Sequence, residues 1–360
     1  MSKILPAGAV RTVLPLLLVL VLSATPPVAR AAVFCANNAT ELRNVLALVG
    51  SNGESDEVRI RNVRMPTSWA MGPLSTYAAV LSDGKNLVIS GGWRDNLCNA
   101  QDPDASRTVL LPAPGRGILR IDTPDDPAQP RPVVTITNLT LTGADEMGGH
   151  GCALNLHGRH HARMVRTRVI DNQCDSAVVL SVRGGDIDLL GNLIAWNSTI
   201  ASVVRSYQDA GAHVGKAVIA GNTLTGNQAG TPWVVHFPGN AATVKWIENN
   251  VVWGNALAGG SPGNREIELS GAIQARVRHN LSAEGHGLLG TGQGNLAAHA
   301  GFVDPGYPLP GAASPLRNAG LSSPHSGLPP YDLAGVPRVV EGQVDIGAYE
   351  FESIFSHGME

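Results

Sequence analysis

The feature that most constrains the fold is a repeated pair of asparagines spaced five residues apart. The pair occurs in LGNLIAWN at 190–197, AGNTLTGN at 220–227 and ENNVVWGN at 248–255. The equivalent first positions along the chain are Asn138, Thr167, Asn192, Asn222, Asn250 and Asn280, separated by 29, 25, 30, 28 and 30 residues. A period of this length indicates a stack of similar supersecondary units.

Aliphatic residues hold fixed places in each unit. Three residues before the reference position stand Met164, Leu189, Ile219, Ile247 and Val277, and two residues after it stand Val169, Ile194, Leu224 and Val252. The local period of two around these positions is typical of short strands, and no unit contains the longer apolar stripe of a helix. The pattern predicts an all-β fold, a right-handed parallel β-helix in which each unit is one rung of a solenoid.

Asparagine suits the bends of such a coil because it tolerates left-handed backbone and its amide can bond to the equivalent amide one rung away. Two ladders are predicted: Asn192, Asn222, Asn250 and Asn280, and Asn172, Asn197, Asn227 and Asn255. Metal binding by these amides is the functional alternative, and the structural interpretation is preferred. The glycosylation-like triplets at Asn138, Asn197 and Asn280 are interpreted as accidents of the ladders, since an acceptor needs a surface loop.

The ends of a solenoid expose unpaired strand edges, so each end is expected to carry a cap. Asn38 and Glu41 resemble a capping box, and helically spaced apolar residues follow them, which predicts a helical cap at the N-terminus. The segment YDLAGVPRVVEGQVDIGAYEFE from Tyr331 is interpreted as a C-terminal cap. Between about 301 and 330 the chain is rich in Pro, Gly and Ser and is expected to run along the side of the last rungs.

The first 31 residues have the layout of a secretory signal peptide. Lys3 and Arg11 precede an apolar run from Val13 to Leu22, and an Ala-Arg-Ala cleavage site ends at Ala31. The run is too short to span a bilayer. We therefore expect a signal peptide at 1–31, a single β-helix domain with its caps at 32–352, and a C-terminal tail at 353–360, in a protein that is secreted, periplasmic or at the cell surface.

Four cysteines follow the signal peptide, Cys35, Cys98, Cys152 and Cys174. An even number in an oxidising compartment predicts two disulfides. Three pairings are possible, and position in the chain favours Cys35 with Cys98 and Cys152 with Cys174.

Composition limits the partners of the chain. Its 26 basic and 29 acidic residues give no electrostatic case for nucleic-acid binding. The 42 glycines and the 4% of aromatic residues argue against a helical bundle and for short strands joined by tight turns. We expect a monomer with no cofactor, no nucleic-acid partner and no membrane span in the mature chain.

Several segments together carry a family likeness: LVISGGW before Cys98, ITNLTLTG followed by GGHGCAL, SPLRNAG, and above all DLAGVPRVVEGQVDIGAYE. Over nearly the whole mature chain they resemble secreted bacterial right-handed parallel β-helix proteins of the pectate-lyase-like superfamily, in particular the group related to polymorphic outer-membrane proteins. The resemblance implies this fold, with its PbH1-type repeats, and an extracytoplasmic setting. It implies no reaction, because the fold hosts lyases, hydrolases, adhesins and inert stalks alike.

The catalytic motifs of enzymes with this fold are incomplete here. GGHGC at 148–152 resembles the Gly-His-Gly element of polygalacturonases, but the Asn-Thr-Asp, paired-Asp and Arg-Ile-Lys elements are missing. Asp186 and Asp188 come nearest to the carboxylate cluster of a calcium-dependent lyase, and we interpret them as facing Arg163 one rung away in an ion pair. HGRHHARMVR at 157–166 could bind a metal or an anionic polymer, although an exposed histidine-rich turn is the preferred interpretation. No metal site is predicted.

Alignment of the longest strand of each rung predicts one set of side chains inside the coil and two rows outside it. The inward set is Leu154, Leu156, Leu180, Val182, Val204, Val235, Phe237, Ile267 and Leu269. The first outward row is Asn155, Ser181, Arg205, His236 and Glu268, and the second is His157, Arg183, Tyr207 and, further on, Ser270.

Two functions are consistent with these rows. The preferred one is a non-catalytic, adhesin-like or structural rod that contacts an extracellular or envelope polysaccharide, with Asn155, His157, Ser181 and Arg183 as binding residues. The alternative is a polysaccharide lyase or glycoside hydrolase for an acidic polysaccharide, with Arg205, His236, Glu268 and Tyr207 as catalytic residues. Arginine would neutralise a uronate carboxylate while histidine and tyrosine serve as base and acid.

Overall fold

The computed structural model describes residues 31–67, 76–147, 151–208, 215–238, 244–258, 265–270, 274–282, 292–304, 306–340 and 342–351. The predicted signal peptide, apart from its last residue, and the predicted tail at 353–360 lie outside these ranges. Within them the chain forms the predicted right-handed parallel β-helix. No helix in the described ranges has the length and apolar character needed to cross a bilayer.

Three long parallel sheets form the walls of the coil, and a short fourth sheet follows sheet B around the bend. Sheet A contains β1 (Ala32–Ala36), β2 (Asp56–Arg61), β5 (Leu87–Trp93), β8 (Val133–Thr137), β11 (His161–Val165), β15 (Ile187–Leu190), β19 (Lys216–Ala220), β23 (Val244–Glu248) and β27 (Gln274–Arg278). Sheet B contains β3 (Arg64–Pro66), β6 (Val109–Leu111), β9 (Thr140–Thr142), β12 (Arg168–Ile170), β16 (Leu193–Ala195), β20 (Thr223–Thr225), β24 (Val251–Trp253), β28 (Leu281–Ser282) and β29 (Leu296–Ala297).

Sheet C carries the longest strands and the predicted outward rows. It contains β4 (Tyr77–Val80), β7 (Leu119–Asp122), β10 (Gly151–Gly158), β14 (Ser176–Val182), β18 (Val204–Gln208), β22 (Trp233–Pro238) and β26 (Arg265–Ser270). The fourth sheet contains β13 (Gln173–Cys174), β17 (Ser198–Thr199), β21 (Gln228–Ala229) and β25 (Ala256–Leu257). An antiparallel pair, β30 (Phe302–Asp304) and β31 (Tyr307–Pro310), follows the coil.

The predicted aliphatic columns lie inside the coil. In sheet A, Ile219 pairs with Leu189 in the preceding rung and with Ile247 in the next one, and all three are buried. The equivalent column of sheet B, which includes Ile194 and Leu224, is also buried. Stacking of like aliphatic side chains at about 4.8 Å therefore forms the core, and burial of their apolar surface is its main source of stability.

Both predicted asparagine ladders run along the bends on the two sides of sheet B. Oδ1 of Asn222 accepts hydrogen bonds from N and Nδ2 of Asn192, each at 2.9 Å, and the same arrangement repeats from Asn222 to Asn250 and onward. Nδ2 of Asn222 also donates to the carbonyl oxygen of Leu189 at 2.8 Å. The second ladder has the same pattern from Asn172 to Asn255. Because these amides satisfy one another and the backbone of the bends, they have a structural role.

The glycosylation-like triplets fall on these bends and not on surface loops. Asn138 and Asn197 are each 1% exposed and Asn280 is 0% exposed. Their amides are committed to hydrogen bonds within the coil. An oligosaccharide at any of them would require the rung to open, so the interpretation as accidents of the ladder holds.

The N-terminal end carries the predicted helical cap, α1 (Ala39–Leu48). Oδ1 of Asn38 accepts a hydrogen bond from N of Glu41 at 3.0 Å, and Oε2 of Glu41 accepts one from N of Asn37 at 2.8 Å. This reciprocal arrangement satisfies one backbone donor in the first helical turn and one just before the N-cap residue. Leu42 and Leu46 are buried, and the helix packs against β1, β2 and β4 at the first rungs.

The disulfides have the pairing favoured by position. Cys35 in β1 is bonded to Cys98, with their Cα atoms 5.7 Å apart. Cys152 in β10 is bonded to Cys174 in β13, with their Cα atoms 6.2 Å apart. The first bond joins the edge strand of sheet A to the loop after β5, and the second closes a turn of the coil.

The last part of the chain, residues 314–340 and 342–351, is named here the C-terminal strap. Apolar strap side chains cover outward positions of sheet B in two buried clusters. In the first, Leu333, Ala348 and Tyr349 pack on Ala105, Leu193 and Ala195. In the second, Leu316 and Ile346 pack on Val251 and Leu281. The predicted C-terminal cap from Tyr331 therefore covers the outer side of the coil along sheet B. The reason is that the outward residues of sheet B are apolar and need burial.

Hydrogen bonds fix the strap at widely separated rungs. The carbonyl oxygen of Leu333 accepts from N of Ala105 at 3.1 Å, and N of Gly347 donates to the carbonyl oxygen of Asn249 at 2.8 Å. As predicted for 301–330, the earlier part of the strap runs along late rungs, where N of Leu321 donates to Oδ1 of Asn249 at 2.7 Å.

A buried ion pair lies inside the strap. Nη1 of Arg338 is 3.0 Å from Oε1 of Glu350, and both side chains are 2% exposed. The guanidinium also donates to the carbonyl oxygens of Gly347 and Asp345. Burial raises the pKa of the Glu350 carboxyl, and the charge of Arg338 opposes that rise.

A buried histidine predicts acid sensitivity of the fold. His160, in the turn between β10 and β11, is 0% exposed, and its Nδ1 is 3.1 Å from Oγ1 of Thr123. Burial lowers its pKa to about 3, with nearby His161 and His157 adding to the effect. Below pH about 6.5 the unfolded chain binds a proton at this site and the folded chain does not, so this histidine alone is expected to lower stability by about 1.4 kcal/mol per pH unit.

Chemical denaturation at pH 6.5 and pH 5 measures this effect, because most carboxylates remain ionised over that interval. We expect the wild-type protein to lose about 2 kcal/mol more than His160→Leu between the two pH values, because the opposite contribution of Glu350, whose pKa is raised, is the same in both proteins. The exposed His299 provides the matched control, and His299→Leu should keep the wild-type dependence. Equal losses in wild type and His160→Leu would contradict the assignment.

Candidate functional site

The outer face of sheet C carries the outward residues that the sequence predicts. Alternation in its strands sends the predicted inward side chains into the core, where Leu269 is partly buried and the others are buried: Leu154, Leu156, Leu180, Val182, Val204, Val235, Phe237 and Ile267. The strand phase is therefore as predicted. Residues of opposite parity on the same strands face away from the core.

Strand register defines one outer row, which runs Arg120, Asn155, Val179, Arg205, His236 and Glu268. Arg205, His236 and Glu268 are direct neighbours on β18, β22 and β26, as the sequence predicts. Their strands are spaced roughly 4.8 Å apart, and each of the three side chains is partly exposed. The structure therefore brings together a cation, an imidazole and a carboxylate on three successive rungs.

Two predicted positions are wrong by two residues along the strand. Ser181 does not lie between Asn155 and Arg205, because Val179 occupies that place. Ser181 instead pairs with His157 and Tyr207 in the neighbouring row, and Arg183 lies beyond it. Ser181 and Arg183 are thus displaced from the rows in which the sequence alignment puts them.

The displacement has a cause in the turns. Alignment of the sequence matches Gly158 with Gly184, since each follows an apolar strand segment, and in the structure both have positive φ. In the structure Gly158 pairs with Val182, and Gly184 belongs to a turn that is one residue longer before the next strand of sheet A begins. Both glycines adopt the positive φ that a turn requires, but they occupy positions that are not equivalent in the two rungs.

His236 has a distinctive environment. Its ring stacks on the ring of Trp233, with centroids 4.8 Å apart and an interplanar angle of 21°. Burial lowers its pKa, the positive charge of Arg205 lowers it further, and Glu268 opposes the shift. His236 is therefore neutral at neutral pH and can accept a proton or a hydrogen bond.

A second group of polar residues lies nearer the N-terminal end of the same face. Nε of Arg120 is 2.7 Å from Oδ2 of Asp122, and Nδ1 of His157 is 3.8 Å from Oδ1 of the same carboxylate. Hydrogen bonding to Asp122 raises the pKa of Arg120. Asn155 is only 5% exposed and lies beneath this surface. The buried Val179 separates this group from Arg205.

Sequence reasoning missed Arg120, Asp122 and Trp233. The alternation in GILRIDTP places Leu119 and Ile121 inside and the two charged residues outside, so extension of the alignment by one rung would have found them. Trp233 begins β22 and has no counterpart in the neighbouring strand segments, so its stacking on His236 has no repeat signal.

Other predicted site residues are placed apart or lie outside the described side chains. Arg183 is exposed and forms an ion pair with Asp125 in the loop after β7. The side chains of Tyr207 and Ser270 are outside the described part of the structure, as are residues 148–150 of the GGHGC segment.

Sheet A presents a separate polar cleft of about 380 Å³ on its outer face. The predicted ion pair is present, with Nε of Arg163 3.1 Å from Oδ2 of Asp188. In the histidine-rich stretch, His160 is buried while His161 lines this cleft. Lys216 and His325 complete its charged and aromatic lining. His325 comes from the strap, far away in sequence, and no periodic signal could have joined it to this surface.

Among the described residues, no cluster of three or more His, Cys, Asp or Glu side chains is arranged to hold a metal ion. No protein-family model, curated protein or solved structure matches this chain. Function must therefore be argued from the two outer faces themselves.

Proposed function

We propose that this protein is exported from the cytoplasm and binds an acidic polysaccharide along the outer face of sheet C without cleaving it. The observation that carries the proposal is the row Arg205, His236 and Glu268, with the Trp233 ring stacked beside it. Arginine recognises carboxylates, and aromatic rings beside polar side chains are common at saccharide surfaces. A solenoid face extends such contacts over several rungs.

Two further observations support the proposal. The guanidinium of Arg120 and the imidazole of His157 lie on the same face, several rungs from Arg205, so a polymer following the coil axis would meet cationic or donor groups twice. The two disulfides favour an oxidising compartment, in agreement with the signal-like N-terminus. Relationship to the pectate-lyase-like superfamily, suggested by the segments quoted above, is part of the same proposal.

A lyase is the second candidate, and the environment of His236 favours it. An imidazole that burial and Arg205 keep neutral could remove a proton next to a uronate carboxylate held by that arginine. A hydrolase fits this face less well. Asp122 and Glu268, the carboxylates whose placement on the face is described, are five strands apart, or roughly 24 Å, while a glycosidase pair needs less than about 10 Å.

An array of acidic and neutral polysaccharides tests the binding proposal. We expect the purified protein to bind at least one uronate-containing polymer, and Arg205→Ala and His236→Ala each to weaken binding about tenfold or more, because each removes a polar contact to a charged partner. The exposed His299 lies outside sheet C, and His299→Ala should bind like wild type. Thermal melting of each variant checks that the fold is intact.

The same samples decide between binding and catalysis. We expect no release of unsaturated uronate products from the bound polymer. Release that disappears in His236→Ala would establish the lyase and overturn the non-catalytic proposal. Failure to bind any acidic polymer, or binding that both variants retain in full, would show that this row is not the binding surface.

A further inference from the structure

The cleft on sheet A has the features of a small-molecule site, although the function proposed for sheet C does not use it. It spans β11, β15 and β19, and the strap forms one wall through His325 and Ser326. Its volume of about 380 Å³ lies at the small end of the range for ligand pockets, about 300–1,000 Å³. The cleft therefore suits one compact ligand better than a long polymer.

The charges that line the cleft compensate one another. Arg163 is paired with Asp188 on the adjacent rung, and these two side chains are 43% and 24% exposed. The backbone N of Lys216 donates to Oδ1 of Asp186 at 2.7 Å, which places the lysine next to that carboxylate in register. Among the described lining residues, the two cations and the two carboxylates balance in charge. A charged ligand would have to disrupt these pairs, whereas hydroxyl groups can bond to their exposed edges.

A backbone hydrogen bond determines which ring nitrogen of the cleft histidine carries the proton. Nδ1 of His161 accepts a hydrogen bond from N of Asp186 at 3.0 Å. In the neutral ring the proton then resides on Nε2, which makes that atom the donor of the ring. Donors from His161 and Arg163 thus alternate with carboxylate acceptors on the same surface, a pattern that matches neighbouring hydroxyls of one molecule.

The strap wall is held in place. The ring of His325 stacks on Trp246 with centroids 3.7 Å apart and an interplanar angle of 2°. The backbone N of His325 donates to Oε2 of the buried Glu248 at 2.7 Å. A wall fixed by stacking and by a charged hydrogen bond gives a preformed shape, which reduces the entropy lost on binding.

We propose that this cleft binds a neutral, hydroxyl-rich ligand of the size of one sugar unit. Balanced charge selects against uronates and other anions, the alternating donors and acceptors select hydroxyls, and the His325 ring of the strap supplies an apolar edge for a sugar ring. The proposal does not rest on the function proposed for sheet C, because the two surfaces share no residue.

Titration with the methyl glycosides of glucose, galactose and mannose, and with galacturonate as the anionic comparison, tests the assignment by saturation-transfer NMR and calorimetry. We expect at least one methyl glycoside to bind and galacturonate to bind more weakly. Asp188→Asn keeps the shape of the side chain but removes the charged acceptor, and should weaken binding about tenfold or more.

A second variant guards against an indirect effect of the lost ion pair. Ser326→Trp should fill the exposed strap wall and abolish binding while the Arg163–Asp188 pair stays in place. His299→Ala, outside the cleft, serves as the control. The proposal is overturned if no methyl glycoside binds, if galacturonate alone binds, or if binding survives in both Asp188→Asn and Ser326→Trp.

Discussion

Asn222→Ala is expected to lower the free energy of unfolding by about 3 kcal/mol. Asn222 is 1% exposed, and its amide bonds to N and Nδ2 of Asn192, to the carbonyl oxygen of Leu189 and to Oδ1 of Asn250. Alanine would remove these four hydrogen bonds, at about 0.5–1.5 kcal/mol each, although Oδ1 of Asn250 would keep its bond from the backbone N of residue 222 and Nδ2 of Asn192 its bond to the carbonyl oxygen of Met164. Denaturant unfolding of wild type and variant measures the loss.

Gln228→Ala is the matched control, since Gln228 is an exposed amide on β21 in the same rung. It should change stability by less than about 0.5 kcal/mol. Asn255→Ala, at the last position of the second ladder, should be less harmful than Asn222→Ala because Asn255 is only partly buried. A loss below about 1 kcal/mol for Asn222→Ala would show that the ladder contributes little to stability.

Arg338→Ala is expected to destabilise the protein by about 3–5 kcal/mol and to release the strap from sheet B. The substitution removes the counterion of Glu350, which is 2% exposed, and also the donors to the carbonyl oxygens of Gly347 and Asp345. An unpaired buried carboxylate is costly, whether it stays charged or takes up a proton. Limited proteolysis of the strap, together with denaturant unfolding, measures both effects.

The adjacent Val339 is 52% exposed, and Val339→Ala should resemble wild type in both assays. Glu350→Gln added to Arg338→Ala should recover part of the lost stability, because no buried charge then remains without a counterion. Unchanged protease resistance in Arg338→Ala would show that apolar contacts alone hold the strap in place.

The sequence predicted the parts of the fold that repeat. Equivalents of Ile219 and Asn222 recur at the same place in successive rungs, so the period of the sequence also predicted which side chains are buried. The structure pairs both residues with their expected neighbours. The capping residues Asn38 and Glu41 were predictable for another reason, since their interaction is local in the chain.

The parts that could not be predicted depend on single, non-repeating contacts. Ser181 was misplaced because turns of unequal length follow β10 and β14, and nothing in the aliphatic pattern records turn length. The meeting of His325 with Trp246 depends on how the strap folds back, which is a long-range event without a period. Trp233 likewise appears on one rung only.

The strap constrains the length of the part of the coil that it covers. Rungs that touch only their neighbours could be duplicated or lost without affecting the rest, as in open-ended arrays. Here one continuous segment is anchored both at Ala105, before β6, and at Asn249, before β24. One additional turn between these anchors would separate them by roughly 4.8 Å more and break their register with the segment. Growth by duplication is therefore compatible with this architecture only outside the anchored span, so the segment fixes the number of rungs between its two anchors as well as covering their side.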